Sequence, residues 1–248
     1  MLATVWLGVV LVGLAAWTVI DMRQYRAFTL VEDSAQRRGF YGRWTAQSFL
    51  ILVGGSLITA AVLGRSLPFT ATPPEFEQIA DSLMPSAAGP SDGEGRLSQA
   101  IGFGLGVSIA ITVGVWRMRR AMRAMLGDFD ALIPRNGREM LAALPLCLNA
   151  GFSEELFFRL ALPLLITAVT GSGVIGLGAS TVIFGLVHAY QGWRGVIGTT
   201  LAGTVMTAIY LQSGSLLRPM MLHALIDIFT LIARPMLAAR LSGSGRQH

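Results

Sequence analysis

Seven apolar stretches, separated by arginine-bearing connectors, constrain this chain more than any other feature of its sequence. They fall at residues 2–20, 46–64, 98–116, 139–170, 173–190, 194–211 and 216–233. Inside hydrocarbon every backbone amide must find its hydrogen bond within the protein, so stretches of about 20 apolar residues read as transmembrane helices. The expected fold class is therefore all-α: a polytopic transmembrane helical bundle of about seven spans enclosing an intramembrane polar chamber. Composition agrees, with 53% hydrophobic and 13% charged residues, more apolar than a soluble core needs. At 248 residues the chain accommodates one bundle and no second globular domain.

Every basic residue is an arginine, and the net charge is +5. Arg23, Arg26, Arg37, Arg38 and Arg43 follow the first span, and Arg117, Arg119, Arg120, Arg123, Arg135 and Arg138 follow the third. The loop 65–97 holds only Arg65 and Arg96. Positive residues favour the cytoplasmic side, which places the N-terminus outside and the C-terminus inside. Spread between spans rather than gathered in one groove, these arginines read as topology signals and contacts to membrane lipids, and nucleic acid is not an expected partner. A lysine-free, arginine- and alanine-rich composition points to a GC-rich bacterial source and hence to the bacterial cytoplasmic (inner) membrane. Residues 1–20 lack a basic n-region and read as a retained span rather than a cleaved signal. The single cysteine, Cys147, excludes an internal disulfide framework and reads as a small buried hydrophobe.

Three parts are expected: residues 1–138, the N-terminal spans with an outer loop and a basic cytoplasmic loop; residues 139–235, the core that carries the chemistry; and residues 236–248, a flexible cytoplasmic tail. The outer loop contains Pro68, Pro73, Pro74, Pro85 and Pro90. Within it, Thr72 can cap a short helix whose Phe76, Ile79, Ala80 and Leu83 share one face, expected to lie on the outer membrane surface. Residues 117–133 alternate arginines with apolar residues in an interfacial, amphipathic pattern. Gly102 and Gly106 form a GxxxG pair suited to close helix packing. Asp128, Asp130 and Glu139 are expected in a solvated loop, and Trp193 at the interface. As a straight helix, 139–170 would rise about 48 Å, more than the hydrocarbon thickness. Pro145, Gly151 and Pro163 offer sites for a kink. One span is preferred to two, because two would put Arg234, Arg240 and Arg246 outside.

Ionisable residues inside apolar helices are costly and by default functional. The fourth stretch carries Glu154, Glu155 and Arg159; the next carries His188 after Phe184; the last carries His223 and Asp227. On an α-helix, positions 155 and 159 lie about 40° apart, whereas 154 points about 100° away from 155. Glu155 can thus neutralise Arg159, which leaves Glu154 as the carboxylate without a local partner and the better general base. Phe184 lies one turn before His188 as a packing residue, and His223 and Asp227 share a face. Two mechanisms fit. Glu154 and His188 activate a water while His223 stabilises the oxyanion, or Glu154, His188, His223 and Asp227 hold a metal, zinc being the expected one, that activates it. No HExxH motif indicates a zincin.

Glu154-Glu155-Leu-Phe-Phe-Arg159 fits EExxxR, Phe184 to His188 fits FxxxH, and His223 to Asp227 fits HxxxN/D. In order and spacing this triplet resembles the CAAX prenyl protease and bacteriocin-processing superfamily, also called the Abi or type II CAAX endopeptidase-like family, over roughly residues 139–235. The resemblance implies an intramembrane endopeptidase, of glutamate or metallo type, acting on a lipidated or bacteriocin-like peptide or protein. Two positions depart from the pattern. Asp227 stands where many members have asparagine, and an ionised aspartate cannot donate to an oxyanion; Leu160 follows Arg159 where glycine is frequent. The alternatives are a non-catalytic immunity or scaffold protein that keeps the chamber, and a proton-coupled transporter using the same acids. A single site also requires His188, near the inner end of its helix, and His223, nearer the outer half of its own, to come level.

Overall fold

A computed structural model describes residues 1–83 and 130–237, and every regular element among them is helical. The expected span 98–116 with Gly102 and Gly106, most of the basic segment 117–133, and the tail from 238 lie outside the described residues.

Helix α1 (Leu2–Thr29) continues well past its apolar stretch. After a short turn, α2 (Ser34–Ser48) starts at Asp33, whose carboxylate accepts the Gln36 amide at 2.8 Å, a side-chain N-cap. A π-turn, Phe49–Val53, leads directly into α3 (Gly54–Leu63), which stops at Gly64 in the left-handed region, φ 63°, where glycine costs least. Leu2–Thr29, Ser34–Leu63, Ala189–Ser213 and Leu217–Leu237 are each long and apolar enough to cross a membrane. Apolar side chains such as Val12, Leu50, Leu57 and Leu225 stand exposed on their outer faces. A soluble protein does not expose such a belt, so the chain is an integral membrane protein.

The expected outer-loop helix exists as α4 (Pro74–Leu83), but it does not lie on the membrane. Phe76 and Ala80 turn inward onto Leu160, Leu164, Leu177, Tyr210 and Leu216. The bundle end offers this helix a deeper apolar seat than an interface does. Gly173 permits the approach, because a Cβ there would overlap the Glu75 carbonyl.

The stretch expected at 139–170 winds as one continuous helix. Helix α5 (Gly137–Glu155) passes without a break through the π-turn Leu156–Ala161 into α6 (Leu162–Thr170), which ends at Gly171, φ 74°. Neither Pro145 nor Gly151 interrupts it. Inside the π-turn, the Phe158 carbonyl accepts the Ser180 hydroxyl at 2.6 Å, a neighbouring helix satisfying a carbonyl of the irregular winding. Gly151 instead serves packing: a Cβ there would stand 2.7 Å from the Ala224 amide and the Met220 carbonyl. This near-contact seats α9 (Leu217–Ile228) against α5.

Between them run α7 (Gly173–Val187), packed on α6, and α8 (Gly192–Ser213), packed on α7. Helix α7 is only 15 residues long, a rise of about 22 Å against a core of about 30 Å. A short 3₁₀ turn, Ala189–Gln191, follows it and leads to Gly192 at φ 77°.

Glu139 corrects an expectation. Rather than facing a solvated loop, it is buried with Arg37, Nε to Oε2 3.0 Å, beneath the aromatic cluster of Tyr25, Phe28, Tyr41 and Trp44. No local pattern reveals a partner so distant in the chain.

Candidate active site

Glu154 and Glu155 stand at the end of α5, where the π-turn begins. The pairing of Glu155 with Arg159 survives the wider winding, with Nε and Oε2 3.1 Å apart and both side chains buried. Arg159 lays its guanidinium over the Phe184 ring, 4.1 Å from the centroid. Space for that stack comes from α8: a Cβ at Gly203 would lie 2.9 Å from the Phe184 ring and 3.3 Å from Arg159 Nη2.

Glu155 has a second partner that helical spacing did not reveal. Its Oε1 lies 2.7 Å from His223 Nδ1. A carboxylate only accepts, so Nδ1 carries the proton and Nε2 is turned to the interior of the site. His188 is fixed in the same sense from a different source. Its Nδ1 donates to the Phe184 carbonyl at 2.8 Å, which leaves Nε2 free to accept.

Both Nε2 atoms meet at one carboxylate oxygen. Glu154 Oε2 is 3.8 Å from His188 Nε2 and 4.0 Å from His223 Nε2, and no hydrogen bond within the protein occupies it. Asp227 Oδ2 approaches His223 Nε2 at 3.6 Å from one turn along α9. The structure thus brings Glu154, Glu155, Arg159, Phe184, His188, His223 and Asp227 together at a single locus. The two histidines come level at Glu154 Oε2, His188 from the C-terminal end of α7 and His223 from within α9.

A cavity of about 100 Å³ adjoins this locus, with Glu154 and His188 among its lining residues. Its walls come from α1, α2 and the turn after α7. Tyr190 links them, its ring 5.2 Å from that of Tyr25 and 5.9 Å from that of His188. Irregular backbone at membrane depth is tolerated where it lines such a cavity. Sequence reasoning missed Asp21, Tyr190 and Gly203. Asp21 is readable in principle, as an acid at the end of an apolar stretch. Gly203 gave no signal.

A metal ion finds no ready cage. Among the described residues no group of three or more histidine, cysteine, aspartate or glutamate side chains is placed to hold one, and zinc requires donors at about 2.0–2.3 Å from a common centre. Polar atoms of Glu154, His188, His223 and Asp227 face one another across gaps of 3.6–4.0 Å.

Comparison with protein families places part of the chain. Residues 136–229 fit the model described as "Rce1-like: Type II CAAX prenyl endopeptidase Rce1-like". The match begins at the N-cap of α5, ends just after α9 and contains every residue of the locus, while α1–α4 fall outside it. No curated protein and no solved structure matches the chain.

Proposed function

We propose that this membrane protein, Rce1-like over residues 136–229, is an intramembrane endopeptidase that hydrolyses a peptide bond of a hydrophobic or membrane-associated substrate. The observation that carries the reading is the convergence of two histidine Nε2 atoms on Glu154 Oε2, at 3.8 and 4.0 Å, beside a cavity. Glu154 is the general base. A water held between Glu154 Oε2 and His188 Nε2 gives its proton to the carboxylate as its oxygen attacks the scissile carbonyl carbon. His188, with its proton fixed on Nδ1, accepts the second hydrogen of that water and orients its lone pair.

The oxyanion of the tetrahedral intermediate faces His223. Held between the carboxylates of Glu155 and Asp227, His223 can carry a second proton on Nε2 and donate it to that oxygen. Asp227 acts by orienting His223, a role open to aspartate as well as to asparagine. Collapse of the intermediate breaks the carbon–nitrogen bond, and the proton held by Glu154 passes to the leaving amine. Water, base and acid are then restored without any further reactant.

The arginine distribution supports a place in the bacterial cytoplasmic membrane with the N-terminus outside, and the cavity then faces the inner half. The test is hydrolysis of hydrophobic peptides by the purified protein in lipid. Glu154→Gln is expected to lower kcat by about 10²–10⁴-fold with substrate affinity retained. Equal turnover in the variant would remove Glu154 as the base, and binding without hydrolysis by the wild type would identify an immunity or scaffold protein instead.

A further inference from the structure

The cavity that leads to Glu154 stands out in an arginine-rich chain. The net charge is +5 with 19 arginines, yet among the described residues its charged lining is acidic, Asp21 and Glu154, with no arginine. Among the described residues Asp21 has no ion-pair partner, although it stands at the end of the first apolar stretch and lines the cavity. Trp17, Tyr25 and Trp44 line the cavity beside it. Aromatic faces attract cations and a carboxylate completes the attraction with a charge-assisted hydrogen bond. Such a box is suited to a guanidinium or ammonium group and repels a carboxylate.

We propose that Asp21, with Trp17, Tyr25 and Trp44, forms a subsite that binds a cationic side chain of the peptide substrate within reach of the Glu154 centre. The inference rests on the peptidase reading for its purpose but not for its existence, since the box binds a cation whether or not a bond is cut. The α1 and α2 residues that build it lie outside the Rce1-like region. The substrate class is thereby narrowed to peptides that place an arginine or lysine beside a hydrophobic segment, as in chains that cross or lie on a membrane with basic flanks.

Binding to the full-length Glu154→Gln protein in nanodiscs tests this without turnover. The probes are hydrophobic nonapeptide amides with one arginine, moved through the nine positions, each paired with its citrulline counterpart, which has nearly the same shape and no charge. The emission of Trp17 and Trp44 reports occupancy. At the favoured position the arginine peptide is expected to bind about ten-fold tighter or more, the scale of one charge-assisted contact. Adding Asp21→Asn should shrink the preference to about two-fold or less, and Asp21→Glu should keep it; Asp21→Ser serves if the asparagine variant does not fold. No preference at any position, or one that survives loss of the carboxylate, overturns the subsite. Hydrolysis of the same peptides by wild type separates the two readings. Cleavage indifferent to charge sinks the subsite and keeps the peptidase, whereas cation-selective binding without cleavage does the reverse.

Discussion

Two buried arginine–glutamate pairs divide this molecule into a part that is clamped and a part that is poised. Arg37 and Glu139 are joined at 3.0 Å, Arg159 and Glu155 at 3.1 Å, and each guanidinium lies over a phenylalanine, Phe28 at 4.3 Å and Phe184 at 4.1 Å. Their surroundings differ. Arg37 also donates to the Tyr41 hydroxyl and to the carbonyls of Ala131 and Ile133, and Glu139 accepts from the Arg135 amide and the Asn136 side chain. Arg159 has no hydrogen bond in good geometry from any of its three nitrogens among the described residues. The first pair ties the first turn of α5, with the segment before it, to α2 and leaves little to rearrange. In the second, the glutamate spends its other oxygen on His223, so the pair holds a functional ring in place.

The largest expected effect follows from that contrast. Arg37→Met strands Glu139 in a buried site and should cost about 3–5 kcal/mol, read as a drop in Tm, while turnover per folded molecule stays near wild type. Replacing both Arg37 and Glu139 by methionine should recover much of the loss. Arg159→Met leaves Glu155 still bound by His223 and should cost less stability, about 1–3 kcal/mol, yet lower kcat by roughly 10²-fold through displacement of the ring. A variant of Arg37 that loses turnover without losing Tm would break the comparison.

Gly151 sharpens it at the level of packing. Gly151→Ala must push α9, and His223 with it, away from α5, with an expected loss of about 1–3 kcal/mol and a fall in kcat. Gly13→Ala, where a Cβ meets open space, is the matched control and should leave Tm unchanged or raised. Unaltered kinetics in Gly151→Ala would show that the close approach does not position the histidine.

The smallest effect belongs to the exposed pair of Arg65 and Glu75. Partial burial alone would raise the Glu75 carboxyl, but the hydrogen bond and charge of Arg65 outweigh it and hold the carboxyl below its usual range. A lowered carboxylate contributes stability above its unfolded value, and the contribution disappears as pH falls through the lowered one. Glu75→Gln should therefore cost at most about 1 kcal/mol near neutrality and nothing in acid, in Tm series across pH.

How much of this was legible in the sequence depends on the range of the signal. Apolar length located α7, α8 and α9 closely, and the start of α1 but not its end, because a membrane filters helices by length. Helical spacing paired Glu155 with Arg159 and set Glu154 apart, since the angular offsets of an α-helix are nearly kept through one π-turn. What spacing could not supply is whatever joins distant segments. His223 reaches Glu155 across 68 positions and Arg37 reaches Glu139 across 102. Glu139 was for that reason read as solvated, and α4 was read as lying on the membrane, its apolar face being visible but not what it covers. The three short motifs were legible as a set; their convergence on one oxygen was not.

The shortness of α7 has a consequence for the lipid. Val174, Ile175, Val182 and Leu186 are exposed along its outer face, so lipid chains meet a helix about 8 Å shorter than the hydrocarbon core. Mismatch of this size is relieved by thinning of the bilayer, at a fraction of a kcal/mol for each ångström. Such thinning would compress the acyl chains and bring headgroups and water toward the turn at His188. Water, the second substrate of any hydrolysis, then has a route to a site built in oil. Activity in vesicles should accordingly rise as the lipid chains are shortened from 18 carbons to 14.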